Sequence, residues 1–185
     1  RNGIRAIAAS GQQHGFVALG HSGEVLTPVK LWCDASSTAE CAEIMDAVGG
    51  AERCIALVGN PILAGYTASK VRWMKRNRQK DYDALACMSL PHDYLNFYLT
   101  GERYCEFGDA SGTGWLDVRE RAWSTSLLAA IDSERQLINY LPPLVAADSL
   151  FPILPQVAKA LGLNSTVQIG AGGGDNMMAA IGVTI

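Results

Sequence analysis

The fold is decided by residues 167–181, which read VQIGAGGGDNMMAAI. The apolar run from Val167 to Ala171 predicts a buried strand, and the three glycines that follow predict a tight turn. Residues Met177 to Ile181 then predict the beginning of a helix. A strand, a glycine turn and a helix in this order are typical of an α/β domain, in which ligands bind where the strands end.

Asp175 and Asn176 stand between these glycines and the helix. Gly172, Gly173 and Gly174 permit positive φ angles and let a ligand approach the backbone, while a helix N-terminus offers free N–H groups to an anion. A carboxylate at this point can take the proton of a hydroxyl nucleophile. Asp175 could equally be an N-cap after a flexible turn, and the residues by themselves leave both interpretations open.

Nucleotide-binding fingerprints are incomplete in the same segment. Asp175 stands where a dinucleotide fingerprint requires its third glycine, and no Gly-Lys-Ser/Thr follows as in a P-loop. The sequence therefore predicts neither of these two nucleotide sites.

A second polar segment runs from Ser10 to Gly15, between the apolar runs 4–9 and 16–19. We expect both runs to form strands, the first of them buried. The amide of Gln13 and the imidazole of His14 suit a polyhydroxylated ligand. A hairpin turn with a solvated His14 is the alternative.

Several other segments are interpreted as structural. Trp32 is expected in the core, and the basic residues between Lys70 and Lys80 are expected on the solvated face of a helix over 69–85. The loop from Asp109 to Gly114 could cap a helix or line a cleft. A helix that begins at Pro91 is expected to bury its apolar residues, which are Tyr94, Leu95, Tyr98 and Leu99. No metal ligand is assigned, because His21 and His92 lack partners at ligand spacing.

Composition excludes several classes of protein. The chain has 185 residues, 49% of them hydrophobic, and a net charge of −3, which is typical of a folded domain rather than of a disordered chain. The acidic balance argues against a nucleic-acid partner and a polybasic membrane anchor, and no apolar run is long enough for a membrane span. The five cysteines contain no C-x-x-C pair, so we expect reduced thiols in a cytoplasmic protein.

The ends of the sequence predict an internal piece of a longer protein. The first residue is Arg1 rather than Met, and apolar runs lie close to both ends, at 4–9 and 181–185. Free-standing domains usually have polar termini.

The polar segments together, in this order, resemble the FGGY family of carbohydrate kinases. The segments that carry the resemblance are 10–15 (SGQQHG), 31–34 (LWCD), 60–65 (NPILAG), 65–77 (GYTASKVRWMKRN), 109–113 (DASGT) and 172–176 (GGGDN). The resemblance implies an α/β fold of the ribonuclease-H-like type found in the actin and hexokinase superfamily. It implies that residues 1–185 form most of the first, sugar-binding domain, incomplete because its first strands are lacking. The N-terminal phosphate loop and the C-terminal ATP-binding domain are then expected outside the chain.

The resemblance also implies roles for individual residues. Asp175 would be the catalytic base, and Gln13, His14 and Asn176 would bind the sugar beside it. Gly172, Gly173 and Gly174 would lie on the cofactor side, with ATP and Mg²⁺ held mainly outside this chain. Some members of the family have Met at the Gln13 position, which makes the implied role of His14 the firmer one.

The expected substrate is a small sugar, because the resemblance is greatest to members that phosphorylate D-xylulose. A homodimer is the expected assembly. The alternatives are a family member acting on another pentulose, gluconate or glycerol, and a non-catalytic carbohydrate-binding module.

Overall fold

The computed structural model describes residues 3–183. The expectation of an internal piece used Arg1 and the apolar run at 181–185. Arg1 and the last two residues of that run lie outside the described range. Within it, the chain is a mixed α/β structure, as predicted. No helix in the described part is both long and apolar enough to cross a membrane.

The site is built on a three-stranded sheet of order β1-β9-β8, in which β1 and β9 are parallel and β8 is antiparallel to β9. Three two-stranded pairs accompany it: β2 with β3, β4 with β7, and β5 with β6. The strands are β1 (Ala6–Gly11), β2 (Val17–Leu19), β3 (Cys87–Ser89), β4 (Cys105–Glu106), β5 (Leu116–Asp117), β6 (Ala122–Trp123), β7 (Leu144–Val145), β8 (Leu150–Pro152) and β9 (Gln168–Gly174). The predicted strand and turn at 167–174 are thus one strand, β9.

Helices connect these strands and cover them. They are α1 (Thr38–Ala47), α2 (Ala51–Val58), α3 (Thr67–Asn77), α4 (Gln79–Asp83), α5 (Pro91–Thr100), α6 (Phe107–Ala110), α7 (Thr125–Ile131), α8 (Pro155–Leu161) and α9 (Asp175–Val183). The single helix predicted over 69–85 is two, because Arg78 leaves the helical region with φ −137° and ψ 50°. The predicted helix after the glycines begins at Asp175 as α9.

The largest hydrophobic core lies between helices α1, α2, α3 and α7 and strand β3. Its fully buried members include Ile44, Leu85, Trp115 and Leu127. A smaller core, with Ile153 and Ile169 among its members, joins α8 to the three-stranded sheet. The larger core supports the loops that face the end of the sheet.

The predicted burial of two elements, β1 and α5, differs from the structure. Strand β1 alternates exposed and half-buried residues, because among the described strands it pairs with β9 alone. The expected apolar face of α5 is buried only in part: Leu95 and Tyr98 are 44% and 59% exposed, whereas Tyr94 and Leu99 are partly buried and pack against small hydrophobic clusters. The buried residues of α5 are instead polar, namely His92, Asp93, Asn96 and Thr100.

Candidate functional site

A cavity of about 290 Å³ lies at the carboxyl ends of the parallel strands β1 and β9. Five residues line it: Gln13, His14, Trp32, Asp175 and Asn176. The structure thus brings together the four residues proposed for sugar binding, which are separated by about 160 residues in sequence. The volume is near the lower end for ligand pockets, roughly 300 Å³, and suits a small ligand.

Asp175 is the first residue of α9, directly after β9. Its Oδ1 accepts hydrogen bonds from the backbone N–H groups of Asn176, at 2.9 Å, and Gln13, at 3.3 Å. Among residues 3–183, no hydrogen-bond partner occupies Oδ2. One carboxylate oxygen therefore fixes the orientation, and the other remains free to accept a proton or a ligand hydroxyl.

The Gln13 and Asn176 amides are linked across the two strand ends. Asn176 Nδ2 donates to Gln13 Oε1 at 3.0 Å, and the Gln13 side chain is buried against Gly174. This bond leaves Asn176 Oδ1 and both N–H groups of Gln13 Nε2 for other partners. The pair can therefore offer both an acceptor and a donor to a hydroxyl group.

His14 has a positive φ of 66°, unusual for a residue other than glycine. Its Nδ1 lies 2.6 Å from the Gly112 carbonyl oxygen, which can only accept a hydrogen bond. Burial lowers the pKa of His14, so the ring is neutral at neutral pH with its proton on Nδ1. Nε2 then carries a lone pair that can accept a hydrogen bond from a hydroxyl.

The segment around Gly112 explains why the 109–113 motif belongs to the site. A Cβ at Gly112 would lie 2.5 Å from the His14 ring, so only glycine lets the loop reach this close. The loop supports the cavity through the His14 ring, whereas the N-cap of α6 lies outside the loop. Glu106, not Asp109, is the N-cap, since its side chain accepts from the N–H groups of Gly108 and Asp109.

Lys70 holds the backbone of His14 from α3. Its ammonium group donates to the carbonyl oxygens of His14, at 2.7 Å, and Gly65, and Thr67 Oγ1 also donates to His14 O at 3.3 Å. The prediction of a solvated face is wrong for Lys70, which is fully buried, and burial lowers its pKa to about 8. The other basic residues of α3 are at the surface in ion pairs, among them Lys75 with Asp132.

Trp32 is on the cavity wall and not in the core, where the sequence placed it. Its side chain is 57% exposed, and the loop of Gly65 packs so closely on the Trp32 carbonyl that a Cβ at Gly65 would lie 2.9 Å from it. An exposed indole beside hydrogen-bonding groups is a suitable surface for the apolar face of a sugar.

The three glycines before Asp175 are explained largely by contacts within the protein. A Cβ at Gly172 would lie 2.1 Å from the Ala9 carbonyl oxygen, one at Gly173 would lie 2.7 Å from Met178, and one at Gly174 would lie 2.5 Å from Gln13. Small residues are therefore required here for the strand end to pack. Their role on the cofactor side remains a prediction.

A buried polar cluster beneath the site was missed by the sequence reasoning, which gave His92 no role. His92 and Asn96 donate to the carbonyl of Ala171, and His92 Nδ1 faces Asp93 and Asp109. The signal that could have found it is polar residues at 92, 93, 96 and 100, one face of a helix. The ligand atoms of the three titratable residues lie within 4.8 Å of one another.

Within the described residues, the cavity lining lacks the cationic side chains that commonly bind a triphosphate. The cavity is lined by amides, an imidazole, an indole and one carboxylate, and no Lys or Arg of residues 3–183 lines it.

Known proteins match this chain in fold and along nearly all of its residues. The curated xylulose kinase of Haemophilus influenzae is 38% identical over 182 residues, covering 98% of this chain and 37% of the relative. A solved structure titled as a xyloylose kinase from Brucella ovis has a TM-score of 0.88 at 34% identity, covering 97% of this chain and 36% of its own. Gluconate kinase from Lactobacillus acidophilus has a TM-score of 0.89 at 26% identity, covering 99% and 37%.

The chain matches only part of each of these relatives. It spans little more than a third of the length of these relatives. The family model of the N-terminal domain of the FGGY carbohydrate kinases matches residues 1–182. The resemblance drawn from the polar motifs is confirmed, and the chain belongs to the FGGY family of carbohydrate kinases.

Proposed function

We propose that this chain is the sugar-binding part of an ATP-dependent sugar kinase that converts D-xylulose to D-xylulose 5-phosphate. The observation that carries the proposal is the Asp175 carboxylate. One of its oxygens is fixed by two backbone N–H groups, and the carboxylate lies on a cavity whose other walls suit hydroxyl groups. The high similarity to a xylulose kinase along nearly the whole chain supports the choice of sugar.

The residues of this chain perform the sugar side of the reaction. His14 Nε2 accepts a hydrogen bond from one sugar hydroxyl, Gln13 and Asn176 bind others, and Trp32 covers an apolar face of the sugar. Asp175 Oδ2 accepts the proton of the terminal hydroxyl, whose oxygen thereby becomes a better nucleophile. A general base of this kind contributes roughly 10²–10⁴ in rate.

We further propose that ATP and Mg²⁺ bind mainly to parts of the protein outside this chain, with the turn at Gly172 to Gly174 adjoining them. The absence of Lys and Arg among the described cavity residues supports this division. When bound, ATP supplies the phosphoryl group. Residues 1–185 are accordingly proposed as most of the first domain of a two-domain enzyme, cytoplasmic and homodimeric.

A second candidate is another sugar or polyol of the same family. The similarity in fold to a gluconate kinase is as high as to the Brucella ovis protein, with TM-scores of 0.89 and 0.88, so the fold does not select the sugar. The non-catalytic binding module is the weaker alternative, because a module that only binds does not need the free carboxylate oxygen of Asp175.

The proposal is tested with the full-length protein, ATP and a panel of D-xylulose, L-ribulose, gluconate and glycerol. We expect phosphorylated product with the highest kcat/KM for D-xylulose, and no turnover by the 185-residue chain alone. A preference for another compound would select the second candidate. Sugar binding by calorimetry without turnover of any compound would select the binding module.

A further inference from the structure

Strand β9 contains a β-bulge immediately before the catalytic turn. Along β1 and β9, Ala8 pairs with Gly170 but Ser10 pairs with Gly173, so two residues, Ala171 and Gly172, face Ala9 alone. Gly172 has φ 68°, a conformation that glycine adopts without strain. Bulges change the direction of a strand and its side chains, and this one lies three residues before Asp175.

The carbonyl oxygen of Ala171 at the bulge is held by two side chains of α5. His92 Nε2 lies 2.6 Å from it, and Asn96 Nδ2 donates to it at 2.9 Å. Both side chains are fully buried and stand four residues apart, on one face of the helix. Because a carbonyl only accepts, His92 carries a proton on Nε2. Asn96 Nδ2, which also lies 3.1 Å from His92 Nε2, then donates to the carbonyl and not to the ring.

The other ring nitrogen of His92 faces two buried carboxylates. Nδ1 lies 3.5 Å from Asp93 Oδ1 and 3.4 Å from Asp109 Oδ2. A neutral ring with its proton on Nε2 would direct a lone pair at both carboxylates, which is unfavourable, whereas a second proton makes both contacts attractive. Burial alone would lower the pKa of His92, but Asp109 and Asp93 outweigh it and raise the pKa to about 10.

The surroundings of the cluster leave His92 as its cation. The other titratable groups near the two carboxylates supply no positive charge: Glu106 caps α6 with its carboxylate, and burial raises the pKa values of Cys105, Cys87 and Tyr104. Asp109 also touches the turn, since a Cβ at Gly174 would lie 2.8 Å from its Oδ1. Asp109 therefore contacts both His92 and the glycine turn.

We infer that His92 is a positioning residue: its doubly protonated ring pairs with Asp93 and Asp109 and clamps the bulge at Ala171, which fixes the direction in which Asp175 leaves β9. The effect on catalysis rests on the proposed role of Asp175 as base. The clamp does not rest on that role, because hydrogen exchange near the bulge can be measured without turnover.

The first experiment compares three variants of the protein: His92→Gln, which removes the charge, His92→Lys, which keeps it, and Thr100→Val as a control. Thr100 is buried on the same helix, and its hydroxyl donates to Asn96 O. Loss of a charged hydrogen bond should speed amide hydrogen exchange at residues 172–176 by roughly 10- to 100-fold in His92→Gln. Exchange there should stay close to wild type in His92→Lys and in Thr100→Val.

The same variants separate positioning from a merely structural role in the full-length kinase. We expect His92→Gln to lower kcat with little change in the KM for the sugar, and His92→Lys to restore kcat. Unchanged exchange at residues 172–176 in His92→Gln, or equal acceleration in His92→Lys, would overturn the inference. Absence of kinase activity in the wild-type protein would overturn the proposed function, and the exchange result would still decide the clamp.

The second experiment needs no variant and so does not depend on their folding. Long-range nitrogen–proton NMR spectra of the wild-type protein should show both ring nitrogens of His92 protonated at about pH 8, well above the ordinary histidine value of roughly 6.5. A neutral ring at that pH, or a stoichiometric metal ion found at the cluster by elemental analysis, would contradict the assignment.

Discussion

At the scale of one residue, the two carboxylate oxygens of Asp175 have different surroundings. The neighbouring N–H of Asn176 and the distant N–H of Gln13 both bind Oδ1. Asp175 is the first residue of α9, and its carboxylate accepts from the next residue and not from an N–H two or three residues on, as an N-cap side chain would. The free second oxygen on the cavity favours the base.

Replacement of Asp175 by Asn should therefore remove the base while leaving most sugar contacts. In the full-length protein we expect kcat to fall by ~10² or more, with the Kd for the sugar within about threefold of wild type. Steady-state assays and calorimetry would measure the two. Asp46→Asn, an exposed position on α1, is the control, and near-wild-type turnover of Asp175→Asn would refute the assignment.

His14 should make sugar affinity depend on pH. The binding form is the neutral ring, whose pKa is lowered below 6.5 by burial. Affinity should therefore be constant near neutrality and should fall as the pH drops below 6.5 through the lowered pKa, because protonated Nε2 no longer accepts a hydrogen bond. Calorimetric titrations across this range would test it.

The matched variant is His14→Gln, which we expect to bind more weakly and to lose this pH dependence. The same acid decline in the variant would show that another group is responsible. An unchanged sugar Kd at neutral pH would remove His14 from the site.

Helix α5 shows at the scale of an element why the apolar pattern misled. Its apolar residues are distributed around the helix, and those chosen as the buried face include Leu95 and Tyr98, which are exposed. The helix buries His92 and Asn96 against the Ala171 carbonyl of the bulged strand, and it buries Asp93 where the carboxylate accepts from the Leu90 N–H at the start of α5. Buried polar groups require such partners, and that demand comes from β9, 75 residues away.

Because Tyr98 is exposed and Asn96 is buried, replacing the polar residue of α5 should destabilise the fold more than replacing the aromatic one. Tyr98→Ala should change the free energy of unfolding by about 0.5 kcal/mol or less, as expected of a surface position. Asn96→Leu should cost about 1–3 kcal/mol, because a buried carbonyl loses a donor. Urea denaturation would give both values, and a larger loss for Tyr98→Ala than for Asn96→Leu would contradict the assigned face.

At the scale of the whole molecule, ion pairs far from the cavity join the helices. Lys75 Nζ lies 2.7 Å from Asp132 Oδ1, and the Tyr82 hydroxyl donates to Asp132 Oδ2 at 2.6 Å. These contacts tie α3 and α4 to the end of α7. Burial alone would raise the pKa of Asp132, but Lys75 and Tyr82 outweigh it and lower the pKa.

Asp132 should therefore contribute stability above its ordinary pKa of 3.8 that is lost as the pH falls through the lowered value. The sign follows because the unfolded chain binds the proton more readily than the folded one. Denaturation curves at a series of acidic pH values should show a steeper loss for wild type than for Asp132→Asn. Parallel pH profiles for the two proteins would show that the pair carries no such linkage.

Much of the fold and the site could be predicted from local sequence. The order of strand, glycine turn and helix at 167–181 defined the α/β class and placed Asp175 at a strand end, because glycine conformations and helix starts are local properties. The polar break at Gln13 and His14 was visible for the same reason. The collinear motifs identified the family.

Contacts between distant segments determine where the other residues around the site lie. Trp32 faces the cavity and Lys70 is buried beneath His14, each against its prediction. His92, to which the sequence gave no role, donates to the Ala171 carbonyl. Composition and periodicity describe how polar a residue is, whereas its burial depends on which backbone groups other segments leave unpaired. The sequence by itself determined the class, the family and the candidate base, and only the tertiary structure determined which polar residues hold that base in place, because unpaired carbonyls exist only once the strands have come together.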